Sequence, residues 1–221
     1  MGVFRAAKLQ HFCSTTAYLC NMDLLEWMNA AVIQPLQQSD RLLMLKINRE
    51  WTFSALDPFT LFMRNAKMHI PLYLFFFYFA FKKMGRKAWF WLLSAVLLIS
   101  VSDLISSQLI KPFFARPRPC RDPFFSSQVR LLASYCGANG SFTSSHAVNH
   151  FAIATFTVGT IGQGYKQFRW LYVWAALIAY SQVYVGVHYP TDVLFGSILG
   201  IVFGWMAVRL CTQPLSLRDQ V

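Results

Sequence analysis

Long apolar segments alternate along this chain with short basic ones. A membrane-spanning helix needs about 20 mostly apolar residues. Four segments reach or approach that length: Ala88 to Ile110, Ala147 to Ile161, Trp170 to Val187 and Val193 to Leu210. A fifth, Ile70 to Phe81, is shorter but extends backward through Leu61 and Phe62. The pattern predicts an all-α polytopic membrane bundle of about five or six transmembrane helices.

The N-terminal part of the chain has a different pattern. Between Asp23 and Trp51, apolar and polar residues mix at helical spacing. This is typical of one or two amphipathic helices lying on the membrane surface, and a sixth span is the alternative. We therefore divide the chain into an N-terminal extension (1–21), interfacial helices (22–58), a membrane domain (59–211) and a cytoplasmic tail (212–221).

Composition supports the membrane interpretation. The chain is 56% hydrophobic and 13% charged, whereas soluble domains carry about 25% charged residues. The formal net charge is +11, but the basic residues punctuate the apolar segments and form no continuous stripe. We therefore expect the partners to be the lipid bilayer and a phosphorylated lipid, and expect no nucleic acid.

The short basic loops predict the topology. Lys82 to Lys87 contains four cations and Gln163 to Arg169 contains two. Because short basic loops stay in the cytoplasm, the segment from Lys111 to Ser145 and the boundary at His188 both fall on the outer face. The chemically rich regions therefore share one side of a bacterial-type inner membrane.

The first rich region is KPFFARPRP, which carries Lys111, Arg116 and Arg118. Taken alone, such a cluster is typical of interfacial basic side chains that extend toward lipid headgroups. It also fits a phosphate clamp, since arginine offers a planar fork and lysine a point charge.

A helix start follows in the second region. GSFTSSHAVNHF passes from small polar residues to an apolar run, with Ser144 near the N-cap. Backbone N–H groups and the helix dipole favour an anion there, and Ser144, Ser145 and His146 add polar side chains. His146 and His150 also have the i, i+4 spacing of zinc ligands, but no flanking glutamate or CxxC motif accompanies them.

The third region is SQVYVGVHYPTD, where an imidazole and a carboxylate meet at one boundary. Pro190 suits the first turn of a helix, so His188 precedes that helix and Asp192 lies within its first turn. The carboxylate can fix the imidazole tautomer by accepting its other ring N–H. Together the three regions predict phosphoryl transfer through a phosphohistidine, with no cofactor and no metal.

These residues resemble the signature of the type 2 phosphatidic acid phosphatase superfamily: Lys-x6-Arg-Pro, Pro-Ser-Gly-His and Ser-Arg-x5-His-x3-Asp. The first motif matches at Lys111, Arg118 and Pro119. The second matches at Ser144 and His146, and the third at Ser181, His188 and Asp192. Gln182 stands where the family has arginine.

The resemblance implies that His188 is the nucleophile, Asp192 its orienting partner and His146 the general acid. It implies that Lys111, Arg118, Ser144 and the backbone at Ser145 bind phosphate. Gln182 could still donate a neutral hydrogen bond, which is weaker than a charge-assisted one. We hypothesise that Arg116 compensates for the missing charge.

Cys120 and Cys136 bracket a loop on the predicted outer face. In an oxidising compartment they could form a disulfide worth about 3 kcal/mol, and two free thiols are the alternative.

The leading functional prediction is a metal-independent membrane phosphatase acting on a lipid phosphate or diphosphate. Candidate substrate classes are undecaprenyl diphosphate, phosphatidic acid, phosphatidylglycerophosphate and lipid A, with a lean toward the polyprenyl diphosphate. A non-catalytic lipid-phosphate binding or transport protein, with Gln182 marking a decayed site, is the alternative.

Overall fold

The protein is all-helical in the residues that its computed structural model describes, 34–215. The α-helices are α1 (Gln34–Leu45), α2 (Leu56–Arg64), α3 (Ile70–Met84), α4 (Ala88–Leu104), α5 (Lys111–Phe114), α6 (Ser145–Gly159), α7 (Trp170–Tyr184) and α8 (Pro190–Leu215). Single turns of 3₁₀- or π-helix lie between them at Lys46–Glu50, Ala66–His69, Gly85–Lys87, Ile105–Ile110, Pro119–Arg121, Ser126–Gln128 and Lys166–Arg169. The predicted fold class is therefore confirmed at the level of an all-α bundle.

The predicted division into extension, interfacial helices, membrane domain and tail stays a prediction. Helix α2 crosses the predicted domain boundary at residue 58, and α8 continues past the predicted tail start at 212. The apolar positions Leu24, Leu25, Met28 and Val32, the extension 1–21 and residues 216–221 lie outside the described part. Residues 43–215 belong to one compact unit, which contains all three of the chemically rich regions.

Helices α3 and α4 form a hairpin that delivers Lys111 to the site. Helix α3 ends at Gly85, whose φ of 57° is a conformation that glycine adopts without a steric penalty. The chain then reverses, and the rings of Phe77 and Trp89 pack 5.2 Å apart. A π-helical turn joins α4 to α5, so Lys111 sits at the end of one long helical stretch.

Apolar side chains cover the outside of this bundle. Two helical stretches, 66–114 and 190–211, are long and apolar enough to cross a membrane, and only 22% and 17% of their most apolar windows are buried. Large side chains on them face outward, including Leu74, Phe75, Trp89, Leu93, Leu104, Leu194, Ile198 and Trp205. Helices α6 and α7 have 15 residues each, which is shorter than the roughly 20 residues of a full membrane span. The count of five or six spans therefore stays a prediction.

Helices α6 and α8 pack with their backbones in near contact. Gly196, Gly200 and Gly204 recur every fourth residue along α8. A Cβ at Gly196 would lie 2.9 Å from the Ser144 carbonyl oxygen, and one at Gly204 would lie 2.5 Å from that of Ala152. Small residues at this spacing allow close helix packing within membranes. The pairing fixes the start of α6 against the start of α8.

The two basic loops lie together at the end of the bundle remote from these helix starts. The Lys83 ammonium donates to the carbonyl oxygens of Ile161 and Gln163, at 3.1 and 2.9 Å. The Trp91 indole donates to Thr160 Oγ1 at 2.8 Å. Since a 15-residue helix is about 22 Å long, the starts of α6 and α8 lie far from both loops. The orientation of the bundle in a membrane stays a prediction.

A polar cluster ties the N-terminal turns to the loop before α6. Asn48 is fully buried, and its Nδ2 donates to the carbonyl oxygens of Arg130 and Tyr184 at 2.9 and 2.7 Å. Its Oδ1 accepts the Arg130 N–H at 2.8 Å. The Arg130 guanidinium binds Asp57, which also accepts the Tyr184 hydroxyl at 2.7 Å.

Replacing Asn48 should destabilise the protein. Asn48→Ala leaves one buried N–H and two carbonyls without a protein partner, and each loss costs about 1–3 kcal/mol. We expect a clear fall in the midpoint of thermal unfolding in detergent. Asn65→Ala is the matched control, because Asn65 is exposed and its side chain accepts only the Lys67 N–H. Equal midpoints for the two variants would contradict the assignment.

Candidate active site

Lys111 meets the start of α6. The Lys111 side chain is buried, and its Nζ donates to Ser145 Oγ at 2.9 Å. Ser145 Oγ also lies 3.0 Å from Ser106 Oγ and 3.2 Å from Ser107 Oγ. Ser144 occupies the N-cap position as predicted, but its hydroxyl makes no capping bond. That hydroxyl is buried without a protein partner in the described chain, so it can donate to a bound anion.

His188 lies between a carboxylate and a guanidinium. Its Nδ1 is 3.4 Å from Asp192 Oδ2, and its Nε2 is 3.3 Å from Arg118 Nη1. Because a guanidinium only donates hydrogen bonds, this contact leaves Nε2 as the acceptor and places the ring proton on Nδ1. The lone pair needed for nucleophilic attack is therefore on Nε2.

The surroundings of His188 keep its ring neutral. Burial lowers the pKa of His188 to about 4. The Asp192 carboxylate opposes this shift, while the positive charges of Arg118 and Lys111 add to it. A neutral imidazole is the nucleophilic form.

Asp192 has both carboxylate oxygens engaged. Oδ2 accepts the Tyr189 N–H at 2.9 Å, in addition to facing His188. Oδ1 accepts Arg116 Nη1 at 2.8 Å, and the same nitrogen donates to Thr191 Oγ1 at 2.8 Å. The structure thus places Arg116 on the carboxylate that faces His188. Compensation for the missing family arginine by Arg116 stays a prediction.

The loop after the clamp packs on Tyr189, next to His188. The rings of Tyr189 and Phe125 stack 6.1 Å apart, and the Tyr189 hydroxyl donates to Asp122 Oδ2 at 2.9 Å. Cys120 and Cys136 form a disulfide across this loop, with their Cα atoms 6.2 Å apart. The loop is thereby closed on itself beside His188.

The disulfide borders both sides of the Arg118 site. Arg118 precedes Cys120 by two residues, and Gly137 follows Cys136 directly. A Cβ at Gly137 would lie 3.1 Å from the central guanidinium carbon of Arg118, so glycine gives this side chain its room. Arg118 Nε also donates to the Asn139 carbonyl oxygen at 3.0 Å.

A cationic cavity of about 480 Å³ opens at the clamp. Four of its lining residues are basic: Lys111, Arg116, Arg118 and Arg121. Sequence reasoning missed Arg121, although it belongs to the same basic run. Such a concentration of positive charge suits a phosphate group.

Gln182 is buried beside His188. Its backbone carbonyl oxygen accepts the His188 N–H at 3.2 Å. Its side-chain Nε2 is buried and has no hydrogen-bond partner among the described residues. The amide therefore retains a donor, but it brings no charge.

His146 stands half-buried in the first turn of α6, above a set of packed rings. His150 Nδ1 donates to the His146 carbonyl oxygen at 2.7 Å, which leaves Nε2 to accept the Tyr73 hydroxyl at 3.3 Å. His150 is thus satisfied by protein partners. Within residues 34–215, no three His, Cys, Asp or Glu side chains come together as a metal site.

Comparison with known proteins shows the family. The model of the PAP2 superfamily matches residues 88–214. The chain belongs to the PAP2 superfamily. Lys111, His146, His188 and Asp192 all lie inside the matched region.

Several relatives are lipid phosphatases. The chain is 35% identical to a lipid A 4'-phosphatase from Porphyromonas gingivalis over 138 residues, 62% of this chain and 57% of that one. It is 28% identical to the undecaprenyl-diphosphatase BcrC from Bacillus subtilis over 112 residues, 51% and 54% of the two chains. Each match therefore spans less than two thirds of the relative's length. The crystal structure of Aquifex aeolicus LpxE superposes with a TM-score of 0.58 at 27% identity, covering 76% of this chain and 94% of that one.

Opening the Cys120–Cys136 loop should impair phosphate binding. Because the disulfide borders Arg118 and Gly137, the Cys120→Ser/Cys136→Ser variant should lose about tenfold in kcat/KM for a lipid phosphate, equivalent to about 1.4 kcal/mol. Cys211→Ser is the control, since Cys211 is a buried free thiol remote from the clamp. Unchanged kinetics in the double variant would rule out this support of Arg118.

The His188 ring should titrate far below the ordinary histidine range. With its pKa lowered from 6.5 to about 4, neutral His188 stabilises the fold above pH 6.5, and this stabilisation is lost as pH falls toward 4. Imidazole ¹⁵N shifts, assigned against His188→Gln, should show a neutral ring at pH 5. A titration midpoint at 6.5 or above would contradict the proposed environment.

Proposed function

We propose that this protein is an integral membrane phosphatase that hydrolyses a lipid phosphate or diphosphate through a phosphohistidine at His188. One observation carries the proposal. His188 Nε2 faces Arg118 at 3.3 Å while its Nδ1 faces Asp192 at 3.4 Å. A neutral imidazole with its lone pair directed at a cation is arranged to attack a phosphate bound there.

In the first step, the Nε2 lone pair forms a bond to phosphorus as the bond to the leaving oxygen breaks. Lys111, Arg118 and Ser144 bind the non-bridging oxygens, whose charge they stabilise. His146 gives its proton to the leaving oxygen. The dephosphorylated lipid product then departs.

In the second step, water hydrolyses the phosphohistidine. Neutral His146 accepts a proton from the water as its oxygen bonds to phosphorus. The N–P bond breaks, and its electron pair returns to His188 Nε2. Inorganic phosphate leaves, and His146 carries the proton again. Every step uses side chains of this protein, so we propose that no metal is required.

The site is proposed to face the outer side of an inner membrane. Two features support this: the basic loops lie together at the opposite end of the bundle, and such loops remain in the cytoplasm. The site lies at helix ends, and we therefore place it at the depth of lipid headgroups. A lipid can therefore present its phosphate while its tails stay in the bilayer.

The names of the relatives support a lipid with phosphate at its headgroup as the substrate. The relatives include a lipid A 4'-phosphatase and an undecaprenyl-diphosphatase. The proposal therefore includes both lipid A and polyprenyl diphosphates as substrate classes. A non-catalytic lipid-phosphate binding protein is the competing function, and Gln182 is the observation that favours it. The paired His188 and Asp192 argue against it, because binding alone needs no oriented nucleophile.

The test measures phosphate release from a panel of lipid phosphates and diphosphates, with chelator present. We expect wild type to release phosphate and His188→Ala to lose at least about 10³-fold, because the nucleophile is removed. Acid-sensitive radiolabel trapped from ³²P-lipid should appear in wild type and not in His188→Ala. Loss of phosphate release on adding chelator would contradict the metal-free mechanism. No phosphate release from any lipid of the panel would favour the non-catalytic binding protein.

A further inference from the structure

Arg64 is a basic residue that the family signature does not include. It ends α2 and lies outside the family-matched region 88–214. Helix α2 packs against α7. The Arg64 side chain is partly buried, and it has no hydrogen bond or ion pair with any residue between 34 and 215. Such a guanidinium retains its full set of donors.

A chain of contacts holds the end of α2 beneath His146. The Met63 carbonyl oxygen faces His69 Nε2 at 2.8 Å, so the residue before Arg64 is fixed. The His69 ring packs 5.9 Å from His150, whose ring stacks 6.2 Å from that of His146. Two rings, His69 and His150, therefore connect the turn before Arg64 to His146, the proposed general acid.

Arg64 acts electrostatically on both sides of the reaction. Its positive charge influences His146, at the leaving-group side, and Arg118, beside the nucleophile. Tyr135 interacts electrostatically with both Arg64 and Arg118. The Arg64 charge is therefore within electrostatic range of His146, of Arg118 and of Tyr135 in the disulfide loop.

The positive charge around Arg64 favours the binding of an anion. Burial lowers the pKa of the Arg64 guanidinium, and no carboxylate of the described chain neutralises it. Lys111, Arg118 and Arg121 line the cationic cavity at the clamp, and the Arg64 charge acts on Arg118. Partly desolvated cations without a counter-charge are unfavourable, so a second anionic group bound at Arg64 would relieve the repulsion.

We propose that Arg64 binds the second phosphate of a lipid diphosphate, the one that leaves with the lipid. This rests on the proposed function and names its substrate class. As the N–P bond to His188 forms, the phosphoanhydride P–O bond breaks and its electron pair moves onto the departing lipid monophosphate. Arg64 stabilises that growing charge, and His146 protonates the leaving oxygen. A monophosphate ester has no such second phosphate for Arg64.

The experiment compares a polyprenyl diphosphate with its monophosphate, in wild type and Arg64→Gln. We expect kcat/KM for the diphosphate to fall about 30-fold, as when a charge-assisted contact is lost, and kcat/KM for the monophosphate to change less than about threefold. Arg64→Lys should recover part of the diphosphate rate, because it keeps the charge without the fork. Lys67→Gln is the matched control, since Lys67 is an exposed cation three residues away.

Two results would overturn the proposal: no loss on the diphosphate, or equal losses on both lipids, which would place Arg64 on the transferred phosphate. If wild type releases no phosphate from any lipid, the proposed function fails, and the role of Arg64 is then tested by a binding measurement alone. Calorimetry of inorganic pyrophosphate and phosphate with the full-length protein should show weaker pyrophosphate binding in Arg64→Gln and unchanged phosphate binding. Unchanged pyrophosphate affinity would then reject Arg64 as a ligand.

Discussion

Asp192 is fully buried, and its contacts join the three segments that build the site. Its carboxylate faces His188 and accepts Arg116, while its backbone carbonyl oxygen accepts the Ser144 N–H at 3.1 Å. A buried carboxylate is costly unless it is paired and hydrogen-bonded. His188 and Arg116 therefore satisfy the buried carboxylate, and the start of α6 is held to the same residue through its backbone.

The helix packing makes that convergence possible. The glycines of α8 admit α6 to backbone contact, which brings Ser144 within reach of Asp192. The π-helical turn after α4 carries Lys111 to the same point. The disulfide loop then covers Tyr189 from outside. Apolar side chains face outward around this assembly, whereas the polar contacts of the site lie at the helix ends.

Much of the site is local in sequence and could be predicted. Apolar run lengths located α3, α4, α6, α7 and α8, and motif spacing marked Lys111, His146 and Asp192. The partners of Arg116 and the role of Asn48 could not be foreseen, because their contacts join residues 76 and 82 positions apart. Arg64 carried no local signal either: a basic residue before an apolar helix also fits an interfacial anchor. The number of spans depends on how helices tilt and pack, which periodicity does not encode.

The close packing of α6 against α8 also makes this part of the site rigid. Two backbones in near contact cannot slide or separate without colliding or opening a void. The helix ends bearing His146 and Asp192 thus behave as a fixed template. Under the proposed function, a lipid headgroup has to bend to that template, so the flexibility of the headgroup matters to selectivity as well as its charge.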